Sequence, residues 1–108
     1  MGRGLDLIIG RRGDSLTGRV LDQAFDIQSG LGKLTIATDG ITWIHFRNPP
    51  QTPADEIWLA NGDRLSGAIA QDAVGFQPEG GPKLRLPREQ IHTVMIGQGI
   101  DLEARPLV

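Results

Sequence analysis

The chain contains no cysteine and no tyrosine, and aromatic residues make up 5% of it. Without cysteine, structural disulfides, thiolate metal sites and a thiol nucleophile are all excluded. No run approaches the roughly 18 apolar residues of a membrane span, and residues 1–5 lack the long apolar region of a signal peptide. We therefore expect a soluble protein that does not associate with membranes and is cytoplasmic by default.

Positive charge is also scarce, since the 108 residues carry a formal net charge of −2 and the pI is about 5.6. A nucleic-acid-binding domain usually carries a strong excess of lysine and arginine, and this chain does not. Helical signals are nearly absent too, because fifteen glycines and seven prolines interrupt the sequence and no long segment keeps a helical apolar spacing. The composition predicts an all-β protein.

The most informative feature of the sequence is an internal repeat. The segment Asp6–Val20 recurs as Asp55–Ile69, 49 residues later, and further apolar positions correspond through most of the chain. The conserved pairs are a turn glycine, a turn aspartate, a leucine and a strand glycine: Gly13/Gly62, Asp14/Asp63, Leu16/Leu65 and Gly18/Gly67. A fixed period of this kind indicates two copies of one structural unit.

Alternating apolar residues between turn signals predict five strands in each copy. We place them at about 5–11, 16–22, 24–29, 33–38 and 41–47, and at about 55–60, 65–71, 73–77, 83–86 and 91–97. Asn61-Gly62 predicts a two-residue hairpin turn in which both residues have positive φ, with Asp63 bonding back to the turn amides. Gly18 and Gly67 predict a bend or a close backbone approach within the second strand.

The repeat also predicts the domain organisation. We expect a small β-barrel over 1–48, a proline-rich connector over 49–54, a second barrel over 55–99 and a C-terminal tail over 100–108. The two copies are expected to pack as a pseudo-dimer, because a lone core of about 45 residues is marginally stable. The sequence leaves open whether they form two separate barrels or one merged structure.

The segment Ile57-Trp-Leu-Ala-Asn-Gly62-Asp-Arg-Leu65-Ser-Gly67-Ala-Ile69 resembles the first motif of Sm-like proteins, and Ile8 to Val20 repeats it more loosely. The resemblance implies an Sm-like or SH3-like small barrel, edge-to-edge assembly and RNA as a possible ligand. The chain departs from the family after the second strand, where the asparagine that reads a base is absent. The later Arg-Gly or Lys-Gly of the second motif is absent as well.

Groups that could perform catalysis or hold a metal are few. His45 and His92 do not occupy equivalent repeat positions and are interpreted as strand histidines at the barrel surface. Asp14 and Asp63 recur as paired carboxylates would, but a turn-capping role explains them. We therefore predict no catalytic residue, no metal site and no cofactor.

A basic and aromatic patch is the most interesting surface in the sequence. Alternation over Lys83–Arg88 puts Lys83 and Arg85 on one face and the leucines between them on the other. With neighbouring elements these side chains would offer a patch for a partner or a single-stranded nucleic acid: Trp43, Arg47, Lys83, Arg85 and Arg88.

Taken together, these patterns predict a non-catalytic binding or assembly module. Small barrels associate by pairing exposed edge strands, so we expect a homo-oligomer, with a ring as one form that it can take. The alternative is an Sm-like protein that binds RNA or single-stranded nucleic acid.

Overall fold

A computed structural model describes residues 5–47 and 53–97 of the chain. The described residues form ten β-strands: β1 (Asp6–Gly10), β2 (Ser15–Val20), β3 (Ala24–Ser29), β4 (Gly32–Ala37), β5 (Ile41–His45), β6 (Asp55–Leu59), β7 (Arg64–Ile69), β8 (Ala73–Pro78), β9 (Leu84–Pro87) and β10 (Ile91–Met95). Two single 3₁₀ turns, Thr38–Gly40 and Arg88–Gln90, precede β5 and β10. The all-β prediction is confirmed, and each predicted strand overlaps an observed one.

All ten strands belong to one antiparallel sheet, in the order β4-β3-β7-β6-β5-β10-β1-β2-β8-β9. The sheet curls, so that the side chain of Arg88, just after β9, contacts β6 and β7. Strands of the two repeats alternate within this order, because β3 of the first repeat pairs with β7 of the second and β2 pairs with β8. The predicted arrangement of two tandem barrels is therefore not confirmed.

The sheet consists of two halves with the same internal order. Half A contains β3 to β7, a continuous stretch of chain from 24 to 69. Half B contains β8, β9 and β10 together with β1 and β2, which come from the other end of the sequence. Each half therefore takes three strands from one repeat and a hairpin from the other.

The two halves join where β5 pairs with β10. In this pairing Ile44 lies opposite Val94, its counterpart in the other repeat, so a pseudo-two-fold axis passes through that pair. The chain continues from β5 to β6 within half A, across the predicted connector at 49–54. Residues 49–52 of that connector and the whole predicted tail at 100–108 lie outside the described residues, and the predicted domain division stays a prediction.

One apolar cluster fills the inside of the curled sheet. Its members come from both halves and are almost inaccessible to solvent; the most deeply buried are Phe25, Ile27, Ile44, Ile57, Val74, Phe76 and Val94. Burying a side chain of this size contributes about 1.5–3 kcal/mol. Burial of this shared core stabilises the sheet in which strands of the two repeats pair with each other.

The two repeated hairpin turns share one geometry, which differs from the predicted one. Gly62 has φ +96°, but no residue other than glycine has positive φ in the described chain, so the prediction for Asn61 was wrong. The Gly62 amide donates to the Leu59 carbonyl at 2.9 Å, which makes a tight turn closed by a left-handed glycine. A three-residue loop of this type matches the strand twist without forcing asparagine into the left-handed region.

The aspartate beside this turn also behaves differently from the prediction. Asn61 Oδ1 accepts from the Asp63 amide at 2.8 Å, and Asn61 Nδ2 donates to Asp63 Oδ2 at 3.1 Å. The asparagine side chain therefore caps the turn, and the Asp63 carboxylate holds that side chain in place. Gly13 has the same φ of +96°, so the first hairpin repeats the left-handed glycine without an asparagine.

The strand glycines lie where the backbones of two neighbouring strands approach each other closely. A Cβ placed on Gly18 would lie 2.0 Å from the Gln77 carbonyl oxygen, and one placed on Gly67 would lie 2.0 Å from the Gln28 carbonyl oxygen. No side chain fits at such a distance, so both positions require glycine. The prediction of a close backbone approach is confirmed at both sites.

Candidate interaction surfaces

A buried aspartate holds the strands of each half together by accepting backbone hydrogen bonds. Asp6 Oδ2 accepts from the Val20 amide at 2.8 Å and Asp6 Oδ1 from the Gly97 amide at 2.7 Å. Asp55 accepts the equivalent pair of hydrogen bonds in half A, at Oδ2 from the Ile69 amide at 2.7 Å and at Oδ1 from the Arg47 amide at 2.7 Å. Both carboxylates are fully buried. Each links the first strand of its own repeat to the short segment after the last strand of the other repeat, within the same half. Their role is structural.

Arg88 lies in this structural network rather than on the predicted patch. Its guanidinium is ion-paired with Asp55, donates to the Ile69 carbonyl at 2.5 Å, and lies 5.0 Å from the centre of the Phe46 ring. The side chain is 16% exposed, so most of its surface is occupied by the protein itself. Continued alternation along β9 places Arg88 on the same face as Leu84 and Leu86, so the strand pattern itself favours this inward orientation, which the patch prediction did not take into account.

The other predicted patch residues are exposed but lie apart in the sheet. Lys83 and Arg85 lie on or just before β9, at one end of the sheet, and Trp43 lies on β5 with four strands in between. Arg47 follows β5, where its amide and carbonyl both serve the structural network. The alternation predicted for β9 is present, since Leu84 and Leu86 are half-buried and Arg85 is exposed.

Trp43 instead belongs to an aromatic pair that the repeat alignment did not predict. Trp43 and Trp58 face each other across β5 and β6, with ring centres 5.8 Å apart and planes at 84°. The Arg64 guanidinium lies 5.4 Å from the centre of the Trp58 ring. Met95 continues the row on β10, and a shallow groove of about 350 Å³ runs beside these side chains. Only the pairing register of β5 and β6 shows that the two tryptophans face each other.

The two histidines also meet, although their sequence positions are not equivalent. The ring centres of His45 and His92 are 4.5 Å apart across β5 and β10. Burial lowers the pKa of His92 below its usual value, and His45 and the Arg11 guanidinium lower it further. A nearby guanidinium disfavours a cation, and within residues 5–47 and 53–97 no three metal-ligating side chains come together. This pair lies at the junction of the halves.

Arg11 bridges the halves beside this pair. Its Nε donates to the Glu89 carbonyl at 2.8 Å and one terminal nitrogen donates to the Arg47 carbonyl at 2.7 Å. A groove of about 580 Å³ lies along the same turn, with two cations and two carboxylates among its side chains: Gly10, Arg11, Arg12, Asp14, Glu89 and Gln90. Because both signs are present, the groove has no clear preference for an anion or a cation.

The two ends of the sheet are the remaining candidate surfaces. In the described part of the chain, β4 pairs with β3 alone and β9 pairs with β8 alone. A strand with one neighbour presents unpaired peptide groups that can bind another strand. These two edges are therefore the places where the described sheet can be extended.

Among the described residues, no helix has the length and apolarity needed to cross a bilayer. Comparison with known proteins adds no identity: no protein-family model, no curated protein and no solved structure matches this chain.

Proposed function

We propose that this protein is a non-catalytic binding and assembly module that self-associates through the free edges of its sheet. The observation that carries the proposal is the position of β4 and β9 at the two ends of a ten-stranded sheet whose other eight strands each have two neighbours. Among the ten described strands, these two edges alone can add a further strand without breaking an existing pair. The Sm-like resemblance of the sequence supports the same mode of association.

The composite halves also support a small-barrel interpretation. Each half combines a five-strand set, a tight repeated hairpin and a glycine at which one strand crosses another closely. We propose that each half corresponds to one small barrel of the Sm-like or SH3-like kind, assembled from both repeats. The sequence repeats every 49 residues, beginning at the first strand of each copy. The proposed structural unit instead begins at the third strand of a copy.

The nucleic-acid alternative receives less support. Of the five residues of the proposed patch, Arg88 is ion-paired with Asp55, and Trp43 lies far from Lys83 and Arg85 in the strand order. The protein also has a net charge of −2, whereas binding to a phosphate backbone depends on positive charge.

Light scattering coupled to size exclusion tests the proposal, with absorbance at 260 and 280 nm recorded on the same run. We expect a nucleic-acid-free oligomer in the unaltered protein and a monomer in the double variant Thr35→Pro, Arg85→Pro, which blocks both edges. The control Thr35→Val, Arg85→Met keeps both amides and should keep the oligomer. A monomer at every concentration would refute self-association, and a nucleic-acid-bearing peak that dissociates in high salt would favour the alternative.

A further inference from the structure

We infer that two copies of this chain pair through β4, antiparallel to each other, with Thr35 on the two-fold axis. The inference rests on the proposed function and specifies the partner, the edge and the register. It predicts a closed dimer with one continuous sheet, and it excludes the ring. The argument depends on which peptide groups of each edge strand point outward.

The outward groups of β4 follow from its neighbour β3. The Asp26 amide donates to Gln71 Oε1 at 3.2 Å and the Asp26 carbonyl accepts from the Ala70 amide at 2.9 Å, so both groups point toward β7. Asp26 lies opposite Thr35, and the two therefore form a non-hydrogen-bonded pair. The amide and carbonyl of Thr35 must point away from β3, toward the open edge.

The same alternation extends to both sides of Thr35. Ala24 and Gln28 also direct their carbonyls toward β7, since the Ala24 carbonyl accepts from Gln71 and the Gln28 carbonyl lies against Gly67. Their partners on β4 are Ala37 and Lys33. The edge of β4 thus presents outward amides at three exposed residues, Lys33, Thr35 and Ala37, and outward carbonyls at Lys33 and Thr35, whereas the Ala37 carbonyl accepts the first hydrogen bond of the 3₁₀ turn at Thr38–Gly40.

The edge of β9 is poorer in donors and more heavily charged. Gly75 directs its amide to Asp22 Oδ1 and its carbonyl to the Leu21 amide, both at 2.8 Å, so its partner Arg85 points outward. The next outward position is Pro87, which has no amide hydrogen. The remaining outward position, Lys83, precedes the strand.

These differences select one pairing among three. In a β4–β4 pair centred on Thr35, Lys33 of each copy lies opposite Ala37 of the other, so no like charges meet, and the Thr35 and Ala37 amides each find a carbonyl. A β9–β9 pair centred on Arg85 would place two arginines directly opposite each other, which is destabilising. A β4–β9 pair would lose one donor at Pro87, and only this head-to-tail contact could generate a ring or a filament.

The first test compares matched proline variants at the two edges. Thr35→Pro removes an outward amide without breaking the β3–β4 ladder, and we expect it to convert the dimer to a monomer. Arg85→Pro makes the equivalent change on β9 and should leave the mass of the dimer unchanged. Thr35→Val loses the hydrogen bond from Thr35 Oγ1 to Asp26 Oδ1 but keeps the amide, and it should remain a dimer.

The second test does not depend on how proline affects folding. Thr35 lies opposite itself in the proposed dimer as a hydrogen-bonded pair, with Cα atoms about 5.5 Å apart, within the range of a disulfide. Because the chain has no cysteine, Thr35→Cys introduces the only thiol. We expect mild oxidation to link Thr35→Cys dimers and to leave Arg85→Cys unlinked.

The outcomes separate the inference from the proposed function. If Arg85→Pro dissociates the oligomer and Thr35→Pro does not, β4 pairing is refuted and edge association stands. If both variants dissociate it, the head-to-tail arrangement replaces the dimer. If neither does, or if the unaltered protein is monomeric, association through the edges is refuted as well. A folded Thr35→Cys dimer that resists oxidation would refute the register.

Discussion

β4 and β9 occupy equivalent positions at opposite ends of one sheet, yet they offer different edges. β4 has six residues and an outward amide at each of three positions, whereas β9 has four residues and a proline at one of the equivalent positions. The two halves share one strand order, so the difference comes from the length and the residues of the edge strands rather than from the topology. The repeat thus determines the fold, and the positions that do not repeat distinguish one half from the other.

The interior shows the same contrast. Asp6 and Asp55 accept equivalent backbone hydrogen bonds, and Asp55 is ion-paired with Arg88, whose counterpart in the other half is Thr38. Thr38 uses its hydroxyl to donate to the Asp22 carbonyl at 2.8 Å. One equivalent position therefore anchors a carboxylate and the other closes a loop.

The largest expected effect tests whether the halves are equivalent where they should be. Gly18→Ala and Gly67→Ala each drive a Cβ into a carbonyl oxygen 2.0 Å away, and we expect each to destabilise the fold by more than about 3 kcal/mol. Gly40→Ala, where a Cβ meets nothing within 4 Å, is the control. Chemical denaturation measures all three, and a tolerated Gly67→Ala would contradict the close crossing.

The next effect concerns the ion pair between Arg88 of half B and Asp55 of half A. Arg88→Met leaves the buried Asp55 carboxylate without its ionic partner, which we expect to cost about 3 kcal/mol. The exposed Arg85→Met should change stability by less than about 0.5 kcal/mol. Denaturation of the two variants in parallel checks the difference. Equal stability of the two would show that Arg88 is not needed to bury Asp55.

A smaller effect concerns the tryptophans that face each other across the strands. Trp43→Thr and Trp58→Ile introduce the residues found at the equivalent positions of the other half. We expect a coupling of about 1 kcal/mol in the double-mutant cycle, typical of an edge-to-face aromatic pair. Additive effects in this cycle would contradict a direct interaction between the rings.

The smallest expected effect is a pH dependence at the junction of the halves. The pKa of His92 is lowered in the folded state, so the unfolded chain binds more protons as the pH falls below the ordinary value of 6.5. Stability should therefore be complete above about 6.5 and decrease as the pH approaches the lowered pKa. His92→Gln should show a shallower loss over that window, and an unchanged slope would rule out His92 as its source.

The strands were predictable because the pattern that specifies them is local. Alternation and turn glycines located all ten, and Gly18 and Gly67 indicated the crossing positions before any pairing was known. The grouping of strands into halves was not predictable, because a repeat in the sequence does not state which copy supplies a neighbouring strand. Asp6 and Asp55 open the two copies of the repeated segment. The recurrence of an aspartate at this strand position was the available sequence signal for the buried carboxylates.

The candidate surfaces were less predictable than the strands, for a related reason. His45 meets His92, and Trp43 meets Trp58, only through cross-strand register, which the sequence does not give. Arg88 continues the leucine face of β9, but its partner Asp55 lies on β6, and the sequence does not show that these elements come together. The free edge of β4 depends on the order of the whole sheet.

Amide hydrogen exchange in the unaltered protein tests the central claim most directly, followed at concentrations below and above dimer formation. The account predicts that the amide of Thr35 becomes protected as the dimer forms, while the amide of Arg85 exchanges at the same rate throughout. Protection of Arg85 instead of Thr35, or no change at either amide in a dimeric sample, would contradict pairing through β4.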